Sequence, residues 1–217
     1  MASESVQDYL KTIYKLSRDQ ESVSTSAIAA RLDVAPASVT KMVKRLADEG
    51  YLRHTPYQGV ALTKAGEQVA LRTIRHHRLL ELYLARALGY PWDLVDAEAE
   101  RLEHVISEEM EARIDAVLGY PTVDPHGHAI PCREGTLVVE ECSSLAEAEP
   151  GMRVRVCQVD DASPEVLRHL GQLGLYPGAV VTIHERLPFG GHLRIEVQGR
   201  EAHLGMEPAG HVFVAPE

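Results

Sequence analysis

The sequence predicts an α+β chain in three parts, and three observations carry that reading. Apolar residues recur at helical spacing through two long stretches, roughly 8–50 and 64–119, separated by a short alternating segment. Strand-like alternation dominates from about residue 149 onward. A Pro- and Gly-rich stretch, PTVDPHGHAIPC at 121–132, stands between the helical and alternating portions. At 217 residues the chain is long enough for more than one domain.

DYLKTIYKLSRD has apolar residues at 9, 10, 13, 14 and 16, which predicts a first helix. STSAIAARLDV predicts a short second one, with Ser24, Thr25 or Ser26 available as its cap. In APASVTKMVKRLADEGYL, Pro36 and Ser38 open a third helix, Val39, Met42, Val43 and Leu46 share a face, and Gly50 stops it. YLRHTPYQGVALT reads as two short strands around Pro56-Tyr57-Gln58-Gly59. Three helices followed by a hairpin is the order of a winged helix-turn-helix.

From Lys64 to about Gly119 the pattern is helical again, punctuated by GYPWD at 89–93. Within it EAERLEHVISEEME, residues 98–111, keeps Leu102, Val105, Ile106 and Met110 at helical spacing. EPGMRVRVCQVDD and YPGAVVTIHERLPFGGHLRIEVQG alternate around the short helix PEVLRHLGQLG, which predicts a small β-barrel. No internal repeat or low-complexity segment is present in the sequence.

The net charge of −10 is unevenly spread: 11 Lys and Arg against 8 Asp and Glu in residues 1–75, then 11 against 24. A basic head on an acidic body is compatible with nucleic-acid binding by the head alone. The three cysteines, Cys132, Cys142 and Cys157, have no CxxC spacing, which argues against a disulfide framework or a zinc ribbon and leaves the thiols incidental. No stretch approaches the ~18 apolar residues of a membrane helix, and MASESVQDYLKTIY lacks a basic stretch before an apolar one. A cytoplasmic chain with no membrane partner is the expectation.

Ser38, Thr40, Lys41, Lys44 and Arg45 lie opposite the apolar face of the third helix, with Pro36 at its start. Short polar side chains near a helix N-terminus can meet base edges, while Lys and Arg neutralise phosphates. An ordinary solvated amphipathic helix would look the same. The hairpin that follows, with Tyr57 and Gln58 at its tip, completes the DNA-binding arrangement.

Glu100, Glu103 and His104 project together from about one helical turn, a geometry that suits a cation. His77 and Glu81 share a face four residues apart, and Asp8 opens the first helix. Oxygen-rich and sulfur-free with two imidazoles, this set suits manganese or iron(II). Acidic solvated helices and a capping histidine are the bland alternative. The HGH at 126–128 reads as a turn, and Trp92 as a packing residue.

These segments together resemble the diphtheria toxin repressor and manganese transport regulator family of metal-dependent transcription repressors. DYLKTIYKL, PASVTKMVKRLADEGYL, HHRLLELYL, EAERLEHVISEEME, DPHGHAIP and LGLYPGAVVTI carry the resemblance, which runs nearly end to end. It implies a winged helix-turn-helix DNA-binding domain over 1–72, an all-α dimerisation and metal-binding domain over 73–143, and an SH3-like, FeoA-like domain over 144–217. It implies a homodimer on an approximately palindromic double-stranded operator. Asp8, Glu100, Glu103 and His104 are similar to the family's primary metal site, with His77 adjoining. Glu81, Asp124, His126 and Asp161 or Asp160 are similar to a secondary site, giving two ions per chain.

The iron-sensing branch has Met where this chain has Asp8 and Cys where it has Glu100, so the resemblance is to the manganese branch. Some two-domain manganese regulators have Glu where Lys11 stands, which argues here for separate sites rather than a close pair of ions. The implied function is a Mn(II)-responsive dimeric repressor of metal-ion transport and homeostasis genes, with Fe(II) the alternative ion. A metalloenzyme is a rival, since Glu and His on helices also build hydrolase and di-iron sites, but no paired Glu-x-x-His motifs occur on two helices. A winged-helix regulator of an organic ligand is a third reading.

Overall fold

A computed structural model describes residues 2–18, 22–55, 58–161, 163–188 and 191–217. The chain divides into two compact units: Met1–His77, Leu102–Ser107 and Pro131–Leu137 form one, and Arg78–Arg101, Glu108–Ile130 and Val138–Glu217 the other.

The first unit opens with α1 (Glu4–Leu16), which buries Val6, Tyr9, Leu10 and Ile13. α2 (Thr25–Leu32) is capped by Ser24, whose hydroxyl oxygen accepts from the Ala27 N–H at 3.1 Å. α3 (Pro36–Asp48) has its proline in the first turn, where the missing N–H is not needed, and inserts Val39, Val43 and Leu46 into the core. Gly50, at φ +81°, lets the chain leave the helix in a left-handed conformation.

The hairpin β1 (Leu52–Thr55) and β2 (Gly59–Leu62) pairs Leu52 with Leu62 and Thr55 with Gly59. Val23 and Val60 exchange two backbone bonds of 2.9 Å, tying the wing to the segment before α2. Gly59 is required there: a Cβ on it would lie 2.5 Å from the Val23 carbonyl oxygen. The predicted three helices and hairpin are all present. Pro56 and Tyr57, expected in the turn, lie outside the described residues.

The long helix α4 (Lys64–Leu88) follows, then α5 (Val95–Leu102) and α6 (Glu108–Val117). Here the structure corrects the reading of residues 98–111 as one helix. α5 ends at Leu102, a turn closes with the Val105 N–H on the Leu102 carbonyl at 3.1 Å, and α6 begins only at Glu108. Glu103 and Ile106 are buried whereas Val105 is 74 % exposed, so the apolar spacing was fortuitous. Glu103 turns inward because charged partners from the first unit take its carboxylate, a tertiary demand that overrides local propensity.

In the second unit β3 (Ser143–Ser144), β4 (Arg153–Val159), β5 (Val180–Arg186), β6 (His192–Val197), β7 (Arg200–Gly205) and β8 (Val212–Pro216) form one antiparallel sheet, in the order β3-β8-β4-β5-β6-β7. With α7 (Pro164–Gln172) and α8 (Met206–Gly210) it encloses a core of Val156, Leu167, Leu170, Ile183, Ile195 and Leu204 among others. The predicted small barrel is thus a bent six-stranded ladder. Two bulges bend it: between Val156 and Gln158 one residue, Cys157, has no counterpart on β8, and a second falls between Ile183 and Glu185. No helix among the described residues is long and apolar enough to cross a membrane.

Candidate metal centres and DNA-binding face

The first cluster lies wholly in the first unit. α1 presents Gln7, Asp8 and Lys11, α4 presents His76 and His77, and the turn after α5 presents Glu103 and His104. Glu103 has no exposed surface. Lys11 Nζ donates to both its oxygens, at 2.9 Å to Oε1 and 2.7 Å to Oε2. His77 Nδ1 lies 2.6 Å from Oε2 and 3.3 Å from the Lys11 nitrogen. His104 Nε2 lies 2.9 Å from Asp8 Oδ1 and 3.4 Å from Glu103 Oε1, while its Nδ1 lies 2.7 Å from the Gln7 amide oxygen. His76 Nδ1 holds the Glu103 backbone carbonyl at 3.0 Å.

Lys11 bridges both oxygens of the Glu103 carboxylate; Oε2 also meets His77, and Oε1 also faces His104 with its partner Asp8. Burial alone would raise the Glu103 pKa, but the His77 bond and the Lys11 charge outweigh it and hold the group below the usual range. A buried ammonium is thus already resident on the carboxylate, bonded to both of its oxygens. The hard, sulfur-free donors Asp8, Glu103 Oε1 and His104 fit a divalent cation, which would share Oε1 with Lys11 or take it over. Glu100, predicted with them, stands exposed on the last turn of α5 in the second unit.

The second cluster lies wholly in the second unit. Glu81, His126 and Asp161 offer ligand atoms within 4.8 Å of one another, as do Asp124, His126 and His128. The loop is shaped by its own acid: Asp124 Oδ1 accepts the backbone N–H of His126 at 2.8 Å and of His128 at 2.9 Å. His126 Nε2 meets the Trp92 carbonyl at 2.8 Å, which leaves Nδ1 pointing toward Glu81 Oε1 at 3.5 Å. His128 Nδ1 lies 3.2 Å from Asp124 Oδ2 and 3.7 Å from Asp161 Oδ2. Asp160, the alternative to Asp161, instead meets His211 Nδ1 at 3.1 Å.

Apart from those ion-pair contacts, the buried Asp124 Oδ2 and His126 Nδ1 make no hydrogen bond among the described residues. Both face the cluster, and buried polar atoms left this way call for an ion or water. Burial by itself would lower the His126 pKa, but the carboxylates of Glu81 and Asp124 push it up to about 9. Burial would likewise raise Asp124, yet His128, Arg78 and His126 hold it down at about 2. His128 was not among the predicted residues, although the His-x-His spacing was visible in the HGH turn. Trp92 packs against Tyr176 with ring centroids 4.7 Å apart, as a packing residue should, and its carbonyl also sets the His126 ring.

On α3, Pro36, Ser38, Thr40, Lys41, Lys44 and Arg45 are all exposed, opposite the buried Val39, Val43 and Leu46. Arg45 is held to Glu49 one turn on at 2.7 Å, and the Thr40 hydroxyl donates to the Pro36 carbonyl at 3.0 Å. Gln58 is exposed on the wing, while Tyr57 lies outside the described residues. Arg53 and His54 on β1 are exposed too, and nothing in the sequence pattern singled them out.

Residues 1–60 match the family described as iron dependent repressor, N-terminal DNA binding domain, and residues 63–132 match iron dependent repressor, metal binding and dimerisation domain. Residues 143–216 match the FeoA domain. The chain belongs to the iron-dependent repressor family. The iron-dependent repressor IdeR of Mycobacterium tuberculosis is 34 % identical over 209 residues, 89 % of this chain and 88 % of that protein. The transcriptional regulator MntR of Lysinibacillus sphaericus is 37 % identical over 107 residues, 49 % of this chain and 76 % of its own. A solved manganese-dependent transcriptional repressor in complex with manganese superposes with a TM-score of 0.88 at 35 % identity, covering 98 % of this chain and 100 % of that one. Membership in the family makes the chain a metal-dependent, DNA-binding transcription repressor with a dimerisation domain, and removes the metalloenzyme reading.

Proposed function

We infer that this repressor responds to Mn(II), binds two ions per chain, and as a homodimer represses genes of metal-ion transport at an approximately palindromic operator. The observation that carries the ion choice is the sulfur-free donor set of the first cluster, Asp8 with Glu103 Oε1 and His104, which suits a hard ion. The likeness to a repressor solved in complex with manganese supports the same ion. Fe(II) is the second reading, supported by the relative named an iron-dependent repressor.

In this reading Asp8, Glu100, Glu103 and His104 hold one ion, with His77 steering Glu103 from the far side, and Glu81, Asp124, His126 and Asp161 hold the other. A bound divalent ion supplies two positive charges against these carboxylates. Lys11 and His77 hold Glu103 Oε2, while Oε1, also bonded to Lys11, faces His104. Asp8 carries the coupling, because it belongs to α1 and so ties ion binding to the order of the DNA-binding helices. Pro36, Ser38, Thr40, Lys41, Lys44, Arg45, Tyr57 and Gln58 meet DNA. Domain limits of 1–72, 73–143 and 144–217 and a cytoplasmic site of action belong to the same reading. Exposed Leu88, Leu94, Met110, Val117 and Tyr120 in the second unit supply apolar surface for a dimer.

The test is operator binding by fluorescence anisotropy, titrated with Mn(II), Fe(II), Co(II) and Ni(II) under anaerobic reducing conditions, with chelator as control. Tight binding with Mn(II) and none with chelator is expected. The double change Asp8→Met with Glu100→Cys replaces hard donors with sulfur and should abolish the Mn(II) response while sparing that to the later metals. If the double variant answers Mn(II) as the parent does, the ion choice does not reside in these residues.

A further inference from the structure

The sequence leaves the thiols incidental, but two of them come together in the second unit. Cys142 precedes β3, and Cys157 is the extra residue of the β4 bulge. A bulge re-aims a side chain, and here Val156 and Cys157 are both buried where strict alternation would bury only one. Cys142, Cys157 and Glu140 each place a ligand atom within 4.8 Å of the others, and neither cysteine is in a disulfide. They line a cavity of about 730 Å³ together with Arg155, Val138 and Gly178. Arg155 grips the Glu140 carboxylate through Nη2, and the Cys157 thiol donates to the Arg155 carbonyl at 3.6 Å.

We propose that Cys142, Cys157 and Glu140 form a separate cation site for a thiophilic divalent ion of the zinc and cadmium class. Two sulfurs and one carboxylate are the donors such ions take in preference to manganese, and the solvent-facing cavity leaves a fourth position for water. Charge balances closely. Two thiolates and a carboxylate carry three negative charges, a dication leaves one, and Arg155 beside Glu140 offsets it. Binding expels one proton from each thiol into solvent and changes no oxidation state. The same arrangement explains why the Cys142 thiol stays protonated without an ion: burial, then the adjacent Cys157 sulfur, push it up to about 12.

The site also abuts the second cluster. Gly127, in the loop of Asp124 and His126, packs so close that a Cβ on it would lie 2.0 Å from the Cys157 carbonyl oxygen, and the Val159 N–H donates to the His126 carbonyl at 2.8 Å. A soft ion on the bulge would therefore stiffen the strand against which that loop is built.

The experiment uses the full chain, reduced and anaerobic, preloaded with Mn(II) and titrated with Cd(II) while following thiolate-to-cadmium charge-transfer absorbance. The oxygen and nitrogen clusters give no such band. One saturable equivalent per chain is expected. Cys142→Ser should remove it, Glu140→Gln should weaken it roughly tenfold as the loss of one ligand does, and Cys132→Ser should leave it intact. In the unaltered chain, Cd(II) should also protect Cys142 from alkylation as read by mass spectrometry, which needs no variant to fold. No band, a band that survives Cys142→Ser, or unprotected Cys142 at saturation overturns the proposal. Mn(II)-driven operator binding should persist in Cys142→Ser, so this outcome and that of the manganese reading are read separately.

Discussion

The two oxygen-and-imidazole clusters solve one problem in different ways. Each buries carboxylates, and each must supply positive charge when no metal is bound. In the first unit the charge comes from a lysine: the Lys11 ammonium sits on both oxygens of Glu103. In the second it is titratable, because His126 is held protonated up to about 9 beside Glu81 and Asp124. A resident lysine on both oxygens must share Oε1 with an incoming metal or give it up. A resident proton must leave before a metal can use that nitrogen. The difference teaches that similar donor types need not give similar ion thermodynamics.

The largest effect should come from breaking the Lys11–Glu103 pair. Lys11→Met leaves the Glu103 charge buried with too little compensation, and removing one partner of a buried ion pair costs ~3–5 kcal/mol. Urea unfolding of the metal-free protein should register that loss, and Lys11→Met with Glu103→Leu should recover much of it. A single variant as stable as the parent would mean that His77 alone balances Glu103.

Next is removal of a donor from the titratable cluster. His126→Ala should lower the Mn(II) stoichiometry measured by calorimetry by about one ion per chain and weaken operator binding less than a change at Glu103. Unchanged stoichiometry would return His126 to a purely structural role in its loop.

The contrast also predicts a difference in pH dependence. Below about 9 the His126 imidazole carries a proton that the ion must displace, so affinity at the second cluster should rise with pH, up to ~10-fold per unit, and level off near that value. Proton release in weakly buffered calorimetry should be about one per ion there. For the metal-free fold the sign is opposite. The raised His126 pKa stabilises fully below its ordinary 6.5, and the contribution is lost as pH rises through about 9. Asp124, lowered from 3.8 to about 2, stabilises above its ordinary value and loses that contribution as pH falls. The Lys11 centre should show no such rise around pH 9, and an equal slope at both would erase the distinction.

The smallest effect belongs to the DNA face. Lys41→Ala or Lys44→Ala should flatten the salt dependence of operator binding by about one unit of slope and leave both metal affinities unchanged. An unaltered slope would show that the lysine does not contact phosphate.

Much was legible in the sequence because it is local. Apolar periodicity, a cap among Ser24, Thr25 and Ser26, Pro36 at a helix start and Gly50 at a helix end each act within a turn of chain, and the structure has Ser24 as the cap and the other two where their chemistry puts them. Alternation from Arg153 to Val159 announced β4, and the donor types pointed to a metal-dependent protein before any geometry was known. Tertiary structure alone decided the rest. α5 stops at Leu102 because Glu103 finds Lys11 and His77, residues 92 and 26 positions away in the chain. His128 joins the second cluster because the Asp124 side chain folds the loop under it. Cys157 leaves the strand alternation because β8 offers it no counterpart. In each case the energy that matters is desolvation of a buried charge or registry of a ladder, and both depend on residues that only the folded chain brings near.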